Sequence, residues 1–286
     1  MKTAIVIVIV ALGSVLFHLL TPWWWTPIAS NWVYIDHTIS LTFWITGIVF
    51  VAVVLFVAYC VFRFRHQEGR RAAYEPENKK LELWLTVATG IGVAVMLAPG
   101  LFVWGQFVTV PAGASELEIV GQQWQWSYRL PGKDGRLGTT FTSLISPENP
   151  LGLNPRDANG QDDLVVEGGE IHVPLGQPVK VLLRSIDVLH DFYVPEFRAK
   201  MDIIPDMVTF FWFTPTRTGT FDVLCAELCG VGHHIMRGKV MVDNEADYRA
   251  WLGQQKTFAQ LSARTKTAEG TIKAPEDGGA LPASRQ

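Results

Sequence analysis

The sequence predicts a membrane-anchored all-β protein: two transmembrane helices, preceded by a signal peptide or a third helix, and followed by a β sandwich or Greek-key barrel. Three observations carry this. Long uncharged apolar runs fill the first third of the chain and stop at Val108. The 178 residues after it fall into short β-prone stretches separated by Gly and Pro turns. Charged residues make up only 18% of the chain against 49% hydrophobic, below the roughly 25% charged that soluble domains carry. That composition excludes a disordered or collagen-like chain. The net charge of −3 excludes a nucleic-acid binder, which needs a basic face.

The first run, Thr3 to Leu20, is apolar apart from Ser14 and His18. It reads either as a signal peptide, with cleavage near Ala29 or Ser30, or as an uncleaved helix. No A-x-A site follows it; Pro22-Trp23-Trp24-Trp25 follows instead and reads as an interfacial aromatic belt. Residues 1–30 form this unit. Ile39–Phe62 and Leu83–Val108 carry no charge over 24 and 26 residues, enough to cross a hydrocarbon core of about 30 Å. Residues 31–108 are thus a transmembrane hairpin. Its connection, 63–80, holds Arg63, Arg65, Arg70, Arg71, Lys79 and Lys80, whereas Thr21–Thr38 holds no lysine or arginine. The positive-inside rule puts 63–80 in the cytoplasm and everything from Thr109 onward on the outer, periplasmic side of the plasma membrane. His18, His37 and His66 fall at membrane boundaries.

Residues 109–255 read as the outer β domain. Strands are expected at 116–120, at 123–128 with its aromatics on one face, and at 164–166, 170–174, 179–183, 208–213, 221–224 and 239–242. Glu245–Gln254 reads as a closing helix capped by Asn244. Pro147–Asp163 is a long loop whose Asp157-x-Asn159-x-Gln161-Asp162-Asp163 offers calcium-type oxygens; it lacks the distal glutamate of a full ligand loop, and turn chemistry is the better reading. Residues 256–286 read as a flexible polar tail.

The chemistry lies in Cys225-Ala-Glu-Leu-Cys229-Gly-Val-Gly-His233-His234-Ile-Met236. Two thiols, an imidazole and a thioether within twelve residues suit copper or zinc, not an oxygen-seeking ion. Structural zinc has no use for a thioether, whereas electron-transfer copper does. One cysteine suffices for a mononuclear copper site; two can bridge a pair of coppers, each then needing an imidazole. His233 supplies one, and His190 in Ser185-Ile-Asp187-Val-Leu-His190 is the best-placed second. The rival reading of Cys225 and Cys229 is a disulfide, since the outer compartment is oxidising.

With C-x-E-x-C-x-x-x-H-x-x-M at 225–236 and S-x-D-V-x-H at 185–190, the chain over about 35–255 resembles subunit II of haem-copper cytochrome c oxidases. The resemblance implies a cupredoxin-like Greek-key barrel holding a dinuclear CuA centre. It implies that Cys225 and Cys229 bridge both coppers, that His190 and His233 each bind one, that Met236 is axial to one, and that the Glu227 backbone carbonyl is axial to the other. It implies that the Glu227 side chain serves a magnesium ion shared with subunit I. Trp124, the first tryptophan of Gln123-Trp-Gln-Trp-Ser-Tyr128, looks like the point where electrons enter from cytochrome c; Trp126 reads equally as packing. Gln125 and Arg129 depart from the family pattern there. Glu82 is a candidate entrance to a proton channel of subunit I, although Glu82-Leu-Trp84-Leu-Thr86 places its tryptophan one residue off the family spacing.

The implied function is the electron-accepting subunit of a proton-pumping terminal oxidase, working with subunit I, the other oxidase subunits, cytochrome c and membrane lipid. The chain has no C-x-x-C-H, so it attaches no haem of its own. The alternative is a membrane-tethered copper carrier or sensor, which would need neither Glu227 nor the tryptophan strand. Between Asp157 and Asp206 ten acids stand against four bases, a candidate steering face for a basic cytochrome, with Asp187 foremost because it lies three residues from His190.

Overall fold

The computed structural model describes residues 1–21, 26–71, 74 and 76–263. The expected aromatic belt at Pro22–Trp25 and the part of the tail beyond 263 lie outside the described residues. Among them, three helices are long and apolar enough to cross a membrane: α1 (Lys2–Leu20), α2 (Val33–Arg63) and α3 (Lys79–Val108). Their side chains are apolar and largely exposed, as a lipid-facing surface requires. Thr38, Thr42 and Thr46 of α2 return their hydroxyls to carbonyls one turn back, at 2.9, 2.9 and 2.7 Å, so the span keeps no idle polar group at these positions. Asn78 caps α3 by accepting the Leu81 N–H at 3.1 Å.

The remainder is a two-sheet β sandwich. Its elements are β1 (Ser115–Gln122), β2 (Gln125–Leu130), β3 (Leu164–Glu167), β4 (Glu170–Pro174), β5 (Val179–Ser185), β6 (His190–Val194), β7 (Ala199–Ile203), β8 (Thr209–Phe213), β9 (Gly219–Cys225), β10 (Arg237–Asp243), helix α4 (Glu245–Leu252) and β11 (Lys256–Thr257). The first sheet has the order β11-β3-β2-β1-β5-β8, the second β4-β10-β9-β6-β7. Two pairings, β1 with β5 and β4 with β10, are parallel. Ile119, Tyr128, Leu183 and Phe211 from the first sheet meet Phe192, Ile203, Val223 and Val240 from the second, all nearly inaccessible to water. His190 opens β6 and Cys225 closes β9 on the same inward faces, with Phe192 paired to Cys225. The core therefore ends, on one side, in these two residues.

The sandwich is stitched to the anchor. Trp32, just before α2, donates its indole N–H to the Trp212 carbonyl (2.9 Å), and Trp212 donates to the Gln106 carbonyl of α3 (2.8 Å). Phe107 stacks on Phe211 at 5.3 Å. The Ala29 N–H reaches the Glu196 carbonyl, the Thr216 N–H reaches the Ala29 carbonyl, and Arg198 grips Asp36 in the first turn of α2 with two nitrogens, at 2.6 and 3.0 Å.

Four expectations need correction. Gln123 and Trp124 do not continue a strand: they form the tight turn between β1 and β2, because Gln122 already pairs with Gln125. Only Trp126 and Tyr128 of the three aromatics then face the core. Strands β6 and β7 were not expected; their charged residues Asp191, Lys200 and Asp202 mask the alternation. The chain stays structured past Lys256: β11 pairs with β3, and Phe258 is buried beside Val120, Leu151 and Leu153. The closing helix ends at Leu252, two residues before Gln254, and its Trp251 ring stacks at 4.5 Å on His172 of β4, whose Nδ1 lies 2.5 Å from Asp243.

The outward face of the first sheet is also covered. Residues 131–163 fold over it and enclose Arg129, which donates to Glu118 (2.8 Å), Asp163 (2.7 Å) and the Gly138 carbonyl (2.7 Å). Arg129 is thus a buried pin and not a surface residue. Burial opposes ionisation of Glu118, but Arg129 and Arg184 outweigh it and hold its pKa below the ordinary value. The loop carboxylates are occupied too. Asp157 accepts the Thr139 N–H and hydroxyl and the Asn159 N–H, and Asp162 accepts the Lys133 and Asp134 N–H groups. They serve turn chemistry in place of a calcium ion. Arg129→Met should leave buried Asp163 without an ion-pair partner and Glu118 with Arg184 alone, and destabilise the domain by about 3–5 kcal/mol; denaturant unfolding of the detergent-solubilised chain, with Arg129→Met/Asp163→Asn expected to recover part of the loss, checks this.

Candidate metal centre

The ligand loop closes on itself through short-range backbone bonds. The Cys225 N–H donates to the Met236 carbonyl, the His233 N–H to Gly230, and the Met236 N–H to His233. The strand-to-strand crossing from β9 to β10 therefore returns Met236 to the side of Cys225, with His233 on a single 3-10 turn between them. The Ala226 N–H reaches the Asp191 carbonyl and ties the loop to β6.

Four donor atoms gather around two sulfurs. Cys225 Sγ and Cys229 Sγ are 3.7 Å apart, beyond the roughly 2.05 Å of a disulfide, so both are free thiols. His190 Nδ1 stands 4.0 Å from Cys225 Sγ, and His233 Nδ1 stands 3.6 Å from Cys229 Sγ. Met236 Sδ is 3.9 Å from Cys229 Sγ, and the Glu227 carbonyl is 3.2 Å from Cys225 Sγ. His190, Cys225 and Cys229 alone satisfy the spacing of a metal-binding group, with ligand atoms within 4.8 Å of one another. His190, Cys229 and Met236 are buried, and His233 is half-buried. The chemistry of this donor set fits copper: soft sulfur and imidazole, one imidazole for each sulfur, and two weak donors that a closed zinc site would leave idle.

The protonation pattern suits metal uptake. Burial opposes the Cys225 thiolate, but hydrogen bonds from His190 and from the backbone at Asp191 and Glu227 win and bring its pKa down to about 6. Burial and the neighbouring Cys225 sulfur push Cys229 up to about 11. Burial lowers the His190 pKa, but its contacts with Cys225 and Asp187 raise it above the ordinary value. Asp187 is the group behind this. It takes His190 Nε2 at 2.8 Å on Oδ1 and the Gln123 N–H at 2.7 Å on Oδ2. That bond places the imidazole proton on Nε2 and leaves Nδ1 free towards the sulfurs.

The β1–β2 turn lies over the ligand loop. The Gln123 side-chain amide and the Trp124 indole N–H both donate to the Cys229 carbonyl, at 2.8 and 3.2 Å. Trp124 is half-buried against Gly230 and Gly232. Trp126 is a core residue, 1% exposed, with its ring edge-on to His190 at 6.4 Å. His234 is exposed beside the site and outside the donor cluster. Glu227 is half-buried on the loop. Glu82 is not brought to this centre: it sits exposed in the first turn of α3, about 40 Å along the helix from the end that meets the sandwich.

Of the acids of the expected steering face, Glu170, Asp187, Asp202 and Asp206 stand exposed, while others are held inside the molecule. Asp163 and Asp191 are buried, Asp157 and Asp162 cap turns, and Asp187 holds His190. The roles of Asp187, Gln123 and Gly232 were missed. The only sequence signal for Asp187 was its three-residue spacing from His190, which also fits a surface acid.

Residues 116–243 match the family described as "Cytochrome C oxidase subunit II, periplasmic domain". The chain is 69% identical over 97% of its length, and 100% of the relative's, to "Alternative cytochrome c oxidase subunit 2" of Bradyrhizobium diazoefficiens. It is 28% identical over 86% of its length, and 83% of the relative's, to "Cytochrome c oxidase subunit 2" of Cereibacter sphaeroides. Among solved structures, the periplasmic domain of subunit II of cytochrome oxidase from Bradyrhizobium japonicum is 25% identical, covers 56% of this chain and 99% of that one, and has a TM-score of 0.37. The chain belongs to the cytochrome c oxidase subunit II family, as a membrane-anchored member carrying its periplasmic domain.

Proposed function

We propose that the outer domain, residues 109–255, receives electrons from cytochrome c at a dinuclear copper centre held by His190, Cys225, Cys229, His233, Met236 and the Glu227 carbonyl, and that the hairpin 31–108 fixes this centre beside subunit I. Bound there, a copper pair would supply one-electron redox chemistry, which suits a subunit placed between cytochrome c and the haem of subunit I, where oxygen would be reduced to water. The observation that carries the reading is the pair of free thiols 3.7 Å apart with one imidazole nitrogen facing each sulfur.

The chain's own groups divide the work. Cys225 and Cys229 give up their protons to bind, and the low pKa of Cys225 starts that process. Asp187 keeps the His190 ring in one tautomer and orientation. The apolar end of the sandwich excludes water, so the ligand set relaxes little when charge changes. Trp124 presents its indole over the Cys229 carbonyl as the point where electrons enter. The Glu227 carboxylate contributes to a magnesium site shared with subunit I, and Glu82 stands on the cytoplasmic side as an entrance for protons to subunit I.

Loading the apo chain with copper should give a purple species whose EPR spectrum shows an electron shared over two equivalent coppers; a four-line mononuclear signal at full loading would refute the dinuclear site. Uptake should be pH-dependent. Cys229, pushed up to about 11, gives up a proton on binding at every pH from 5 to 8, and below pH about 6 Cys225 gives up a second, so affinity should fall with acid by roughly tenfold per pH unit for each proton displaced and more steeply below pH 6; a copper titration between pH 5 and 8 measures this. Cys229→Ser should abolish the near-infrared absorption of the pair while the chain still inserts and folds, because a hydroxyl does not bridge coppers as a thiolate does. Trp124→Phe should keep both coppers and the affinity for cytochrome c, and should slow reduction of the centre in stopped-flow mixing with reduced cytochrome c; an unchanged rate would show that electrons enter elsewhere.

A further inference from the structure

Two glycines of the ligand loop, Gly230 and Gly232, border the Trp124 ring, and they are glycines for different reasons. Gly230 has φ +117°, a backbone conformation that side chains rarely allow. Gly232 has φ −89° and ψ 9°, the conformation that residues of every type take at the third position of a type I turn. Its backbone therefore does not explain it; its surroundings do. A Cβ at 232 would overlap Trp124 Cδ2 and lie 2.6 Å from Cε3 and 2.7 Å from Cγ. At Gly230 the same atom would stop 3.0 Å from Gln123 Nε2 and 3.2 Å from Trp124 Cζ2, tight contacts that a shift of a few tenths of an ångström relieves, unlike the overlap at Gly232.

We propose that Gly232 is a positioning residue for Trp124: the indole lies in the space its missing side chain leaves, and that space holds the ring against the backbone of the bridging Cys229. The inference rests on reading Trp124 as the point where electrons enter. One contact of the ring and two of its neighbour Gln123 fix the turn from the other side. The indole N–H donates to the Cys229 carbonyl at 3.2 Å. The Gln123 amide donates to the same oxygen at 2.8 Å. The Gln123 N–H is held in turn by Asp187, the partner of His190. The turn is thus tied to both metal-binding segments, and a flat seat under the ring is the remaining requirement. Filling that seat forces the ring outward and breaks the Nε1 contact without touching any donor atom.

The test compares Gly232→Ala, Trp124→Ala and the double variant in the assembled oxidase. Near-infrared absorption reads the copper centre, and stopped-flow mixing with reduced cytochrome c reads its reduction. Hydroxyl-radical footprinting with mass spectrometry reads exposure of Trp124, with or without metal. Gly232→Ala should raise labelling of Trp124, keep the absorption, and slow reduction by on the order of tenfold or more. The double variant should be no slower than Trp124→Ala. Unchanged labelling and unchanged rate in Gly232→Ala would overturn the proposal. Should Gly232→Ala fail to take up copper, the double variant decides: recovered absorption supports a shared space, and continued loss shows that the glycine serves the ligand loop itself. Raised labelling of Gly232→Ala together with an undiminished rate in Trp124→Ala would keep the seat and remove Trp124 from the electron route.

Discussion

The carboxylate of Asp187 is the interaction on which the rest of the site depends. One side chain takes the Nε2 proton of His190, the N–H of Val188 and the N–H of Gln123. Through His190 it sets the ligand ring of β6; through Gln123 it sets the turn that covers the ligand loop. Backbone hydrogen bonds and the His190 contact outweigh its partial burial and keep its pKa below the ordinary value, so it stays an acceptor at physiological pH. Without it His190 would be free to rotate or to carry its proton on Nδ1, and the β1–β2 turn would lose its tie to the metal-binding strand.

Around this carboxylate the fold sets up a line of rigid connections. β6 begins at His190 and leads, through the 3-10 turn Pro195–Phe197, to Arg198, which grips Asp36 of α2. The membrane helix and the ligand are thus two ends of one short strand. Arg198 adopts φ 55°, an uncommon conformation for a side-chain-bearing residue, and its guanidinium is committed to Asp36, Thr26 and the Pro195 carbonyl. The indoles of Trp32 and Trp212 lock the same junction from the other side. These bonds hold the site at a fixed height and orientation above the membrane helices.

Much of this was legible in the sequence, and the failures have physical causes. Uncharged runs of transmembrane length declare themselves through composition alone. The spacing of Cys225, Cys229, His233 and Met236 is local, so one loop carries it and the sequence displays it. His190 needed a second strand, and its motif was readable even though β6 was not. β6 and β7 escaped because buried Asp191 faces exposed Asp202 across the pair, and acids inside a short strand look like loop residues. Arg129 stood out only as a departure from the family pattern, and its burial was not legible because the sequence does not show that residues 131–163 fold back over the sheet. Trp124 looked like a strand residue because alternation continued through a turn that only the pairing of Gln122 with Gln125 reveals.

The order of pairing also constrains biogenesis. β1 waits for β5, β4 waits for β10, and β3 waits for β11, while Phe258 closes a small core that begins at Val120. Contacts so distant in sequence form late. The sandwich is therefore incomplete until residues near the end of the described chain have crossed the membrane. The cysteines emerge before the last strands that would shelter them, into a compartment that favours their oxidation. Two adjacent thiols that stay free through that interval would depend on reductant outside the cytoplasm until the last strands close over them.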